Sequence, residues 1–129
     1  ITLLNDNDRN KINIKRSPEI VYGLRNFIGN AIKFADEEII IKLISNDESL
    51  NLSINDDGPG FAEDIIKLIG EPYLKSKSKK INNKSGLGLG IFLGKTLLER
   101  KNARLSFSNK ENLKGALVKI SWNIFDIKN

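Results

Sequence analysis

The chain has 129 residues, a length that fits one compact domain, and its composition is that of an ordinary globular protein. It contains no cysteine and no histidine, which excludes disulfides, ordinary zinc sites and Ser-His-Asp triads. The net charge of +5 is mild, and no apolar run approaches the length that is needed to span a bilayer.

The first half of the chain predicts a strand, a long helix and a pair of strands. Residues 12–15 alternate between apolar and polar side chains, as in a short strand. Ser17-Pro18-Glu19 is typical of a helix start, since it supplies a hydroxyl N-cap, a first-turn proline and a first-turn acid. Apolar residues at helical spacing extend this helix to about residue 35. Strand-like runs follow at 38–44 and 49–55, on either side of a polar turn.

Three polar side chains share one side of the predicted helix. Asn26, Asn30 and Lys33 are spaced i, i+4 and i+7, which places them within about 60° of one another and away from the apolar stripe. An amide oxygen can ligate Mg²⁺, and a lysine can neutralise phosphate charge. A solvated polar face would give the same pattern, so both interpretations stay open.

A glycine-rich turn follows the second of the paired strands. In Asp56-Asp57-Gly58-Pro59-Gly60 the first aspartate can accept a hydrogen bond from an exocyclic amine, and the glycines let the backbone pass close to a planar base. Asp57, between them, is expected to face solvent. The alternative is a plain turn between the strand and a short helix that ends near Ile69.

A lysine-rich segment and a glycine run come next. Residues 70–85 are polar and lack periodicity, and they predict a long mobile loop whose lysines could also contact nucleic-acid phosphates. Gly86-Leu87-Gly88-Leu89-Gly90 precedes a helix predicted for residues 91–101. Backbone N–H groups at such a helix start can cradle phosphate, and a glycine hinge without a ligand is the alternative.

The chain ends in a predicted hairpin, in which residues 105–107 pair with 116–125. Together these elements predict an α/β fold: a two-layer α/β sandwich in which a mixed five-stranded sheet is covered on one face by about three helices.

In their order and spacing, these motifs resemble the Asn box and the two glycine boxes of the catalytic domain of bacterial sensor histidine kinases. That domain belongs to the Bergerat ATP-binding superfamily, with DNA gyrase B, Hsp90 and MutL. The boxes correspond to residues 26–34, 56–60 and 86–90, and residues 71–75 resemble the intervening phenylalanine box. The similarity extends over residues 12–124. Three further stretches resemble the redox-responsive subfamily of RegB type: residues 18–28, 71–73 and 95–100.

The resemblance implies the Bergerat fold with a mobile ATP lid, and a site for Mg²⁺ and ATP between the long helix, the lysine-rich loop and the glycine run. Asp56 would hold the adenine amine, and Asn30 would ligate the metal ion. The implied catalytic residues are polar or cationic: Asn26, Asn30, Lys33 and Lys75. The implied nucleotide-binding residues are spread over the four boxes: Asn26, Asn30, Lys33, Phe34, Asp56, Gly58, Gly60, Tyr73, Lys75, Gly86, Leu87, Gly88, Leu89 and Gly90.

The resemblance also implies transfer of the γ-phosphoryl group of ATP to a histidine on a separate dimerisation domain, with a response regulator downstream. In the ATP-hydrolysing relatives, a glutamate four residues before the metal asparagine acts as general base. Here that position is Asn26, which cannot take a proton. Two alternatives stay open. One is a Bergerat-fold ATPase or serine-directed kinase, and the other is a non-enzymatic basic module that binds nucleic acid.

On the same resemblance, residues 1–11 are interpreted as the stub of a linker from the dimerisation and phosphoacceptor domain, and residues 12–129 as the catalytic domain. We expect this fragment to be monomeric and cytoplasmic, without direct contact to nucleic acid. The full-length protein is expected to be a homodimer, and an anchor in the inner membrane is compatible with the resemblance.

Overall fold

A mixed five-stranded sheet organises the computed structural model, which describes residues 1–7, 13–69, 87–110 and 114–128. The strands follow one another along the chain: β1 (Thr2–Asn7), β2 (Ile39–Ser45), β3 (Ser49–Asp56), β4 (Arg104–Asn109) and β5 (Ala116–Asn123). They lie side by side in the order β1-β2-β3-β5-β4. β1 is parallel to β2, and the other neighbouring pairs are antiparallel. The predicted α/β fold with a mixed sheet is therefore confirmed.

Helices cover one face of this sheet. They are α1 (Pro18–Phe34), α2 (Glu63–Ile69), α3 (Leu87–Glu99) and the four-residue α4 (Ile124–Ile127). α1 begins as its sequence predicts, since the Ser17 side chain accepts a hydrogen bond of 3.2 Å from the Ile20 N–H and Pro18 opens the first turn. In the described part of the chain, no helix is long and apolar enough to cross a membrane.

The core lies between the helices and the covered face of the sheet. Residues of β5 alternate clearly, because Val118, Ile120 and Trp122 are buried while Lys119 and Asn123 are exposed. Buried side chains of α1, β3 and α3 complete this layer, among them Phe27, Ile54, Ile91 and Leu98.

α1 and α3 pack closely because a glycine of each helix lies against a large side chain of the other. A Cβ atom on Gly23 would lie 2.6 Å from Leu98 Cγ, and one on Gly94 would lie 2.9 Å from Phe27 Cε2. Both distances are too short for a real Cβ, so glycine is required at this approach of the two helices. Residues 87–90 form the first turn of α3, which places Gly90 of the glycine run beside Asn26 of α1.

Three predicted boundaries were wrong. Among the described residues the first strand is β1, and of the strand predicted at 12–15 the described residues 13–15 contain only an isolated bridge from Ile14 to Lys128. β1 lies in the segment that was expected to be a linker, and it forms because its backbone pairs with the edge of β2. α3 begins at Leu87 rather than residue 91. Residues 124–125 belong to α4, because the Asn123 side chain caps the Phe125 N–H at 3.0 Å and ends β5.

Candidate functional site

A cavity of about 390 Å³ lies between the C-terminal half of α1, the loop after β3, the start of α2 and β5. A volume in this range suits a small molecule of nucleotide or cofactor size. Four of the predicted site residues line it: Asn30, Phe34, Asp56 and Gly60. The rest of its wall is largely apolar and includes Phe27, Ile54, Phe61, Ile65 and Val118.

The Asp56 carboxylate is the buried acid of this cavity. The side chain is only 8% exposed, and its Oδ1 atom accepts hydrogen bonds from the backbone N–H groups of Gly58 at 2.9 Å and Ala116 at 3.4 Å. Among the described residues, none donates a hydrogen bond to its Oδ2 atom. One carboxylate oxygen is thus held by the protein, and the other is available to a donor on a ligand.

Two glycines of the turn after β3 are required by its geometry. A Cβ atom on Gly58 would lie 2.2 Å from the backbone oxygen of Phe34, so the turn touches the C-terminal end of α1. Gly60 has a φ of +84°, a conformation that favours glycine, and a Cβ atom there would lie 2.7 Å from Asn109 Oδ1. The turn is therefore fixed between α1 on one side and β4 on the other.

Asp57 lies at the surface, as expected, but its carboxylate is occupied by backbone hydrogen bonds. Its Oδ1 atom accepts hydrogen bonds from the backbone N–H groups of Asp36 at 2.9 Å and Glu37 at 3.0 Å, and its Oδ2 atom accepts from Glu37 at 3.1 Å. These bonds, with Glu37 as the main cause, hold the pKa of Asp57 below its ordinary value. Asp36 also pairs with Lys114 and raises the pKa of that lysine. Asp57 therefore ties the turn after β3 to the segment that leaves α1.

Asn109, which was not among the predicted site residues, holds the other side of the turn. Its Oδ1 atom accepts from the Phe61 N–H at 2.7 Å, and its Nδ2 atom donates to the Phe61 carbonyl at 2.8 Å. The Phe61 ring meets Phe107 edge-on, with the ring centroids 6.1 Å apart. Asn109 and Phe61 are 48 residues apart in the chain, so no local pattern pointed to this pair.

The three polar residues of α1 have different surroundings. Asn30 is half-buried and lines the cavity, and within the described ranges its amide makes no hydrogen bond. Asn26 donates from Nδ2 to the Tyr22 carbonyl at 2.8 Å and lies next to Gly90 of α3, outside the cavity wall. Lys33 is exposed, with its Nζ atom 5.3 Å from the centroid of the Phe34 ring. Only Asn30 of the three therefore faces the cavity.

The remaining predicted site residues are only partly placed. Tyr73, Lys75 and Gly86 lie outside the described residues, as does the whole segment 70–85 that was predicted to be a loop. Leu87, Gly88, Leu89 and Gly90 are in the first turn of α3, against the expectation of a loop before the helix. In the part of the chain that the structure describes, no group of three or more acidic, histidine or cysteine residues could hold a metal ion.

Comparisons with known proteins agree on one family. The family model described as histidine kinase-, DNA gyrase B-, and HSP90-like ATPase matches residues 16–124. The chain is 35% identical over 126 residues to Sensor histidine kinase RegB of Cereibacter sphaeroides, across 86% of this chain and 27% of that protein. It is 33% identical over 90 residues to an uncharacterized sensor-like histidine kinase of Rhizobium meliloti, across 68% of this chain and 17% of that protein. The chain thus spans about a quarter or less of the length of these relatives.

Solved structures share the fold. The catalytic domain of the histidine kinase ThkA, in a nucleotide-free form, superposes with a TM-score of 0.69 at 20% identity, across 95% of this chain and 79% of that one. Full-length ShkA in complex with AMPPNP superposes with a TM-score of 0.67 at 21% identity, across 99% of this chain and 26% of that one. At these identities the likeness shows that the arrangement of sheet and helices is the same.

Proposed function

The chain belongs to the histidine kinase-, DNA gyrase B- and HSP90-like ATPase family, and we propose that it is the ATP-binding catalytic domain of a bacterial sensor histidine kinase. In this proposal the domain binds Mg²⁺-ATP and delivers the γ-phosphoryl group to a histidine on a separate dimerisation domain of the same kinase. A response regulator then receives the phosphoryl group. The RegB and other sensor histidine kinases among its relatives support this assignment.

The observation that carries the proposal is the geometry of Asp56 in the cavity. Backbone N–H groups of Gly58 and Ala116 orient its Oδ1 atom, which leaves Oδ2 as a charged acceptor in a largely apolar pocket. An adenine ring has a flat apolar face and an exocyclic amine at its edge. Bound in this cavity, adenine would lie with its ring against Phe34 and Ile54 and with its amine on Oδ2 of Asp56.

The polar end of the cavity suits the phosphate tail. The Asn30 amide lines the cavity without a described partner, and an amide oxygen is a hard ligand of the kind that Mg²⁺ accepts. The described residues offer no acidic cluster, so the ion would take its other ligands from phosphate oxygens and water, as Mg²⁺ usually does in phosphoryl transfer. Bound there, Mg²⁺ would neutralise charge on the phosphates.

The remaining residues of the proposed site would position the phosphate tail and neutralise its charge. Lys33 is exposed close to Phe34, from where its flexible side chain would reach phosphate oxygens at the cavity mouth. Asn26 lies where α1 meets the first turn of α3, and N–H groups of that turn would bind the phosphate tail. We include Tyr73 and Lys75 in the proposed site from the sequence resemblance alone.

The acceptor must lie outside this chain, since the chain has no histidine. An amide at position 26 can orient a water molecule but cannot remove its proton, which favours transfer to a partner over hydrolysis. We further propose that the domain works in the cytoplasm, that the full-length kinase is a homodimer, and that an anchor in the inner membrane is compatible with its domain plan.

A phosphotransfer assay tests this function. The isolated chain with Mg²⁺ and γ-labelled ATP should bind nucleotide, release phosphate barely above background and remain unlabelled. Addition of the histidine-bearing helical domain of the kinase should give a phosphoprotein on that domain that is labile in acid and stable in base. Brisk phosphate release by the chain alone would favour an ATPase. Stable labelling of the chain itself would favour a kinase that acts on hydroxyl groups.

A further inference from the structure

A groove of about 400 Å³ crosses the face of the sheet that the described helices leave uncovered. The polar side chains that line it come from β2, β3, β4 and β5, and they point away from the core because they alternate with inward-facing neighbours. Lys119, for example, is exposed between the buried Val118 and Ile120. The groove shares no lining residue with the proposed nucleotide site.

Three cationic side chains from different strands meet at this groove. Lys42 of β2 and Lys119 of β5 both pair with Ser53 of the strand between them, which puts their Cα atoms about 10 Å apart. Arg104 of β4 is the register partner of Ser121 and lies diagonal to Lys119, at about 7–8 Å. Long flexible side chains at these spacings can bring their three charged groups together over Ser53 and Ser121.

These three cations have no neutralising partner within the described chain. None of them forms an ion pair or a side-chain hydrogen bond with a described residue, and the lining includes no described aspartate or glutamate. The hydroxyl groups of Ser53 and Ser121 have no described partner either. Like charges this close repel one another, so an anion that enters the groove gains attraction and removes that repulsion.

The positive charge is confined to a small area of the sheet. The next row of outward-facing side chains is uncharged and consists of Ile40, Asn55, Leu117 and Ser108. Beyond the other end of the groove, the turn between β2 and β3 carries Asp47 and Glu48. The cations therefore occupy about two residue rows on four strands, roughly 7 Å by 14 Å. A nucleic-acid duplex is bound through many phosphate contacts over a much larger surface, whereas a compact anion fits this area.

The ligand must carry more than one negative charge in a small volume. A single carboxylate is matched by one cation, whereas linked phosphate groups present several charged oxygens to ammonium, guanidinium and hydroxyl donors at once. We therefore propose that this groove binds a small molecule that carries a diphosphate or triphosphate group. Lys42, Lys119 and Arg104 would hold its charge, and Ser53 and Ser121 would donate hydroxyl hydrogen bonds. The inference is independent of the proposed nucleotide site, since it rests on other residues on the opposite face of the sheet.

Pyrophosphate without Mg²⁺ is the probe, titrated into the ¹⁵N-labelled unmodified chain. The backbone amide peaks of Ser53, Lys119 and Ser121 should move saturably in ¹H–¹⁵N spectra. We expect pyrophosphate to bind about tenfold more tightly than inorganic phosphate, because its second phosphate group adds a charge-assisted contact. Binding at the proposed nucleotide site would instead move the amide peaks of Gly58 and Ala116, so one spectrum separates the two sites.

A pair of substitutions separates this groove from general attraction to a basic protein. Lys119→Gln removes one charge from the groove and should weaken pyrophosphate about fivefold. Lys15→Gln makes the same chemical change at an exposed position before α1, and it should bind as the unmodified chain does. Both variants should bind a nonhydrolysable ATP analogue with Mg²⁺ unchanged, so a failure of one proposal is distinguishable from a failure of the other.

Four results would overturn the proposal. The first two are amide shifts that do not saturate and equal affinities for phosphate and pyrophosphate. The third is a Lys119→Gln variant that binds pyrophosphate as tightly as Lys15→Gln does. The fourth is an acidic peptide of alternating glutamate and glycine that moves the same amide peaks at lower concentration than pyrophosphate, which would favour a protein partner.

Discussion

Replacement of Asp56 by asparagine changes one atom at the floor of the proposed nucleotide site. The asparagine Oδ1 atom can still accept from the backbone N–H groups of Gly58 and Ala116, so the turn after β3 should keep its conformation. The Oδ2 atom is replaced by an NH₂ group, which is itself a hydrogen-bond donor and cannot accept a hydrogen bond from the adenine amine. A hydrogen bond to a charged acceptor contributes about 1.5–3 kcal/mol, which predicts a loss of about 10- to 150-fold in nucleotide affinity.

Calorimetric titration with a nonhydrolysable ATP analogue and Mg²⁺ measures this loss directly, and thermal unfolding of the same samples reports on the fold. Asp47→Asn is the matched control, because it makes the same chemical change at an exposed position of the turn between β2 and β3. It should bind nucleotide as the unmodified chain does. Asp57 is unsuitable as a control, since its carboxylate holds backbone N–H groups.

An unchanged affinity for Asp56→Asn, with unfolding at the same temperature, would refute the assignment of Asp56 to the adenine amine. A strong loss of thermal stability would instead show that the carboxylate is needed for the turn itself. In that case Asp56→Glu, which keeps the charge and moves it, would separate the two roles. A folded Glu variant that binds weakly would support the geometric assignment.

Three further predictions concern α1, its contact with α3, and the turn after β3. Asn30→Ala should weaken binding of Mg²⁺-ATP far more than binding of metal-free ADP in parallel titrations, and equal losses would make Asn30 a structural residue. Gly23→Ala should destabilise the fold by about 1–3 kcal/mol in urea unfolding, because its Cβ would lie 2.6 Å from Leu98 Cγ. Gly29→Ala in the same helix meets nothing within 4 Å and should stabilise by about 0.4–1 kcal/mol; equal effects would contradict the close packing of α1. The lowered pKa of Asp57 contributes stability above the ordinary value of 3.8, and that contribution is lost as the pH falls through the lowered pKa. Thermal melts from about pH 2 to pH 6 should therefore show a smaller acid-induced loss for Asp57→Asn than for the unmodified chain, and parallel curves would contradict this linkage.

Local signals in the sequence were enough for most of the elements. Ser17 and Pro18 predicted where α1 begins, and the alternation of Leu50, Leu52 and Ile54 predicted β3. These signals work because helix caps and side-chain periodicity depend on neighbours a few residues away. β1 escaped prediction because its polar half does not alternate, and its pairing with the edge of β2 is a long-range contact.

The sequence by itself determined which chemical groups the site can use. With no histidine and no cysteine, the chain offers carboxylates, amides, lysines and backbone groups, and the motifs around Asn30 and Asp56 named two side chains that the structure brings to one cavity. Both motifs could be identified from the sequence, because each is a short contiguous segment.

Only the tertiary structure decided how these groups are held. The bonds of Asp57 to the segment after α1, and of Asn109 to Phe61, join residues about 20 and 48 positions apart. The Trp122 indole N–H is buried without a hydrogen-bond partner among the described residues, which only the positions of the surrounding atoms could show. Hydrogen bonds form wherever folding brings a donor and an acceptor within about 3 Å, and sequence separation places no limit on that approach.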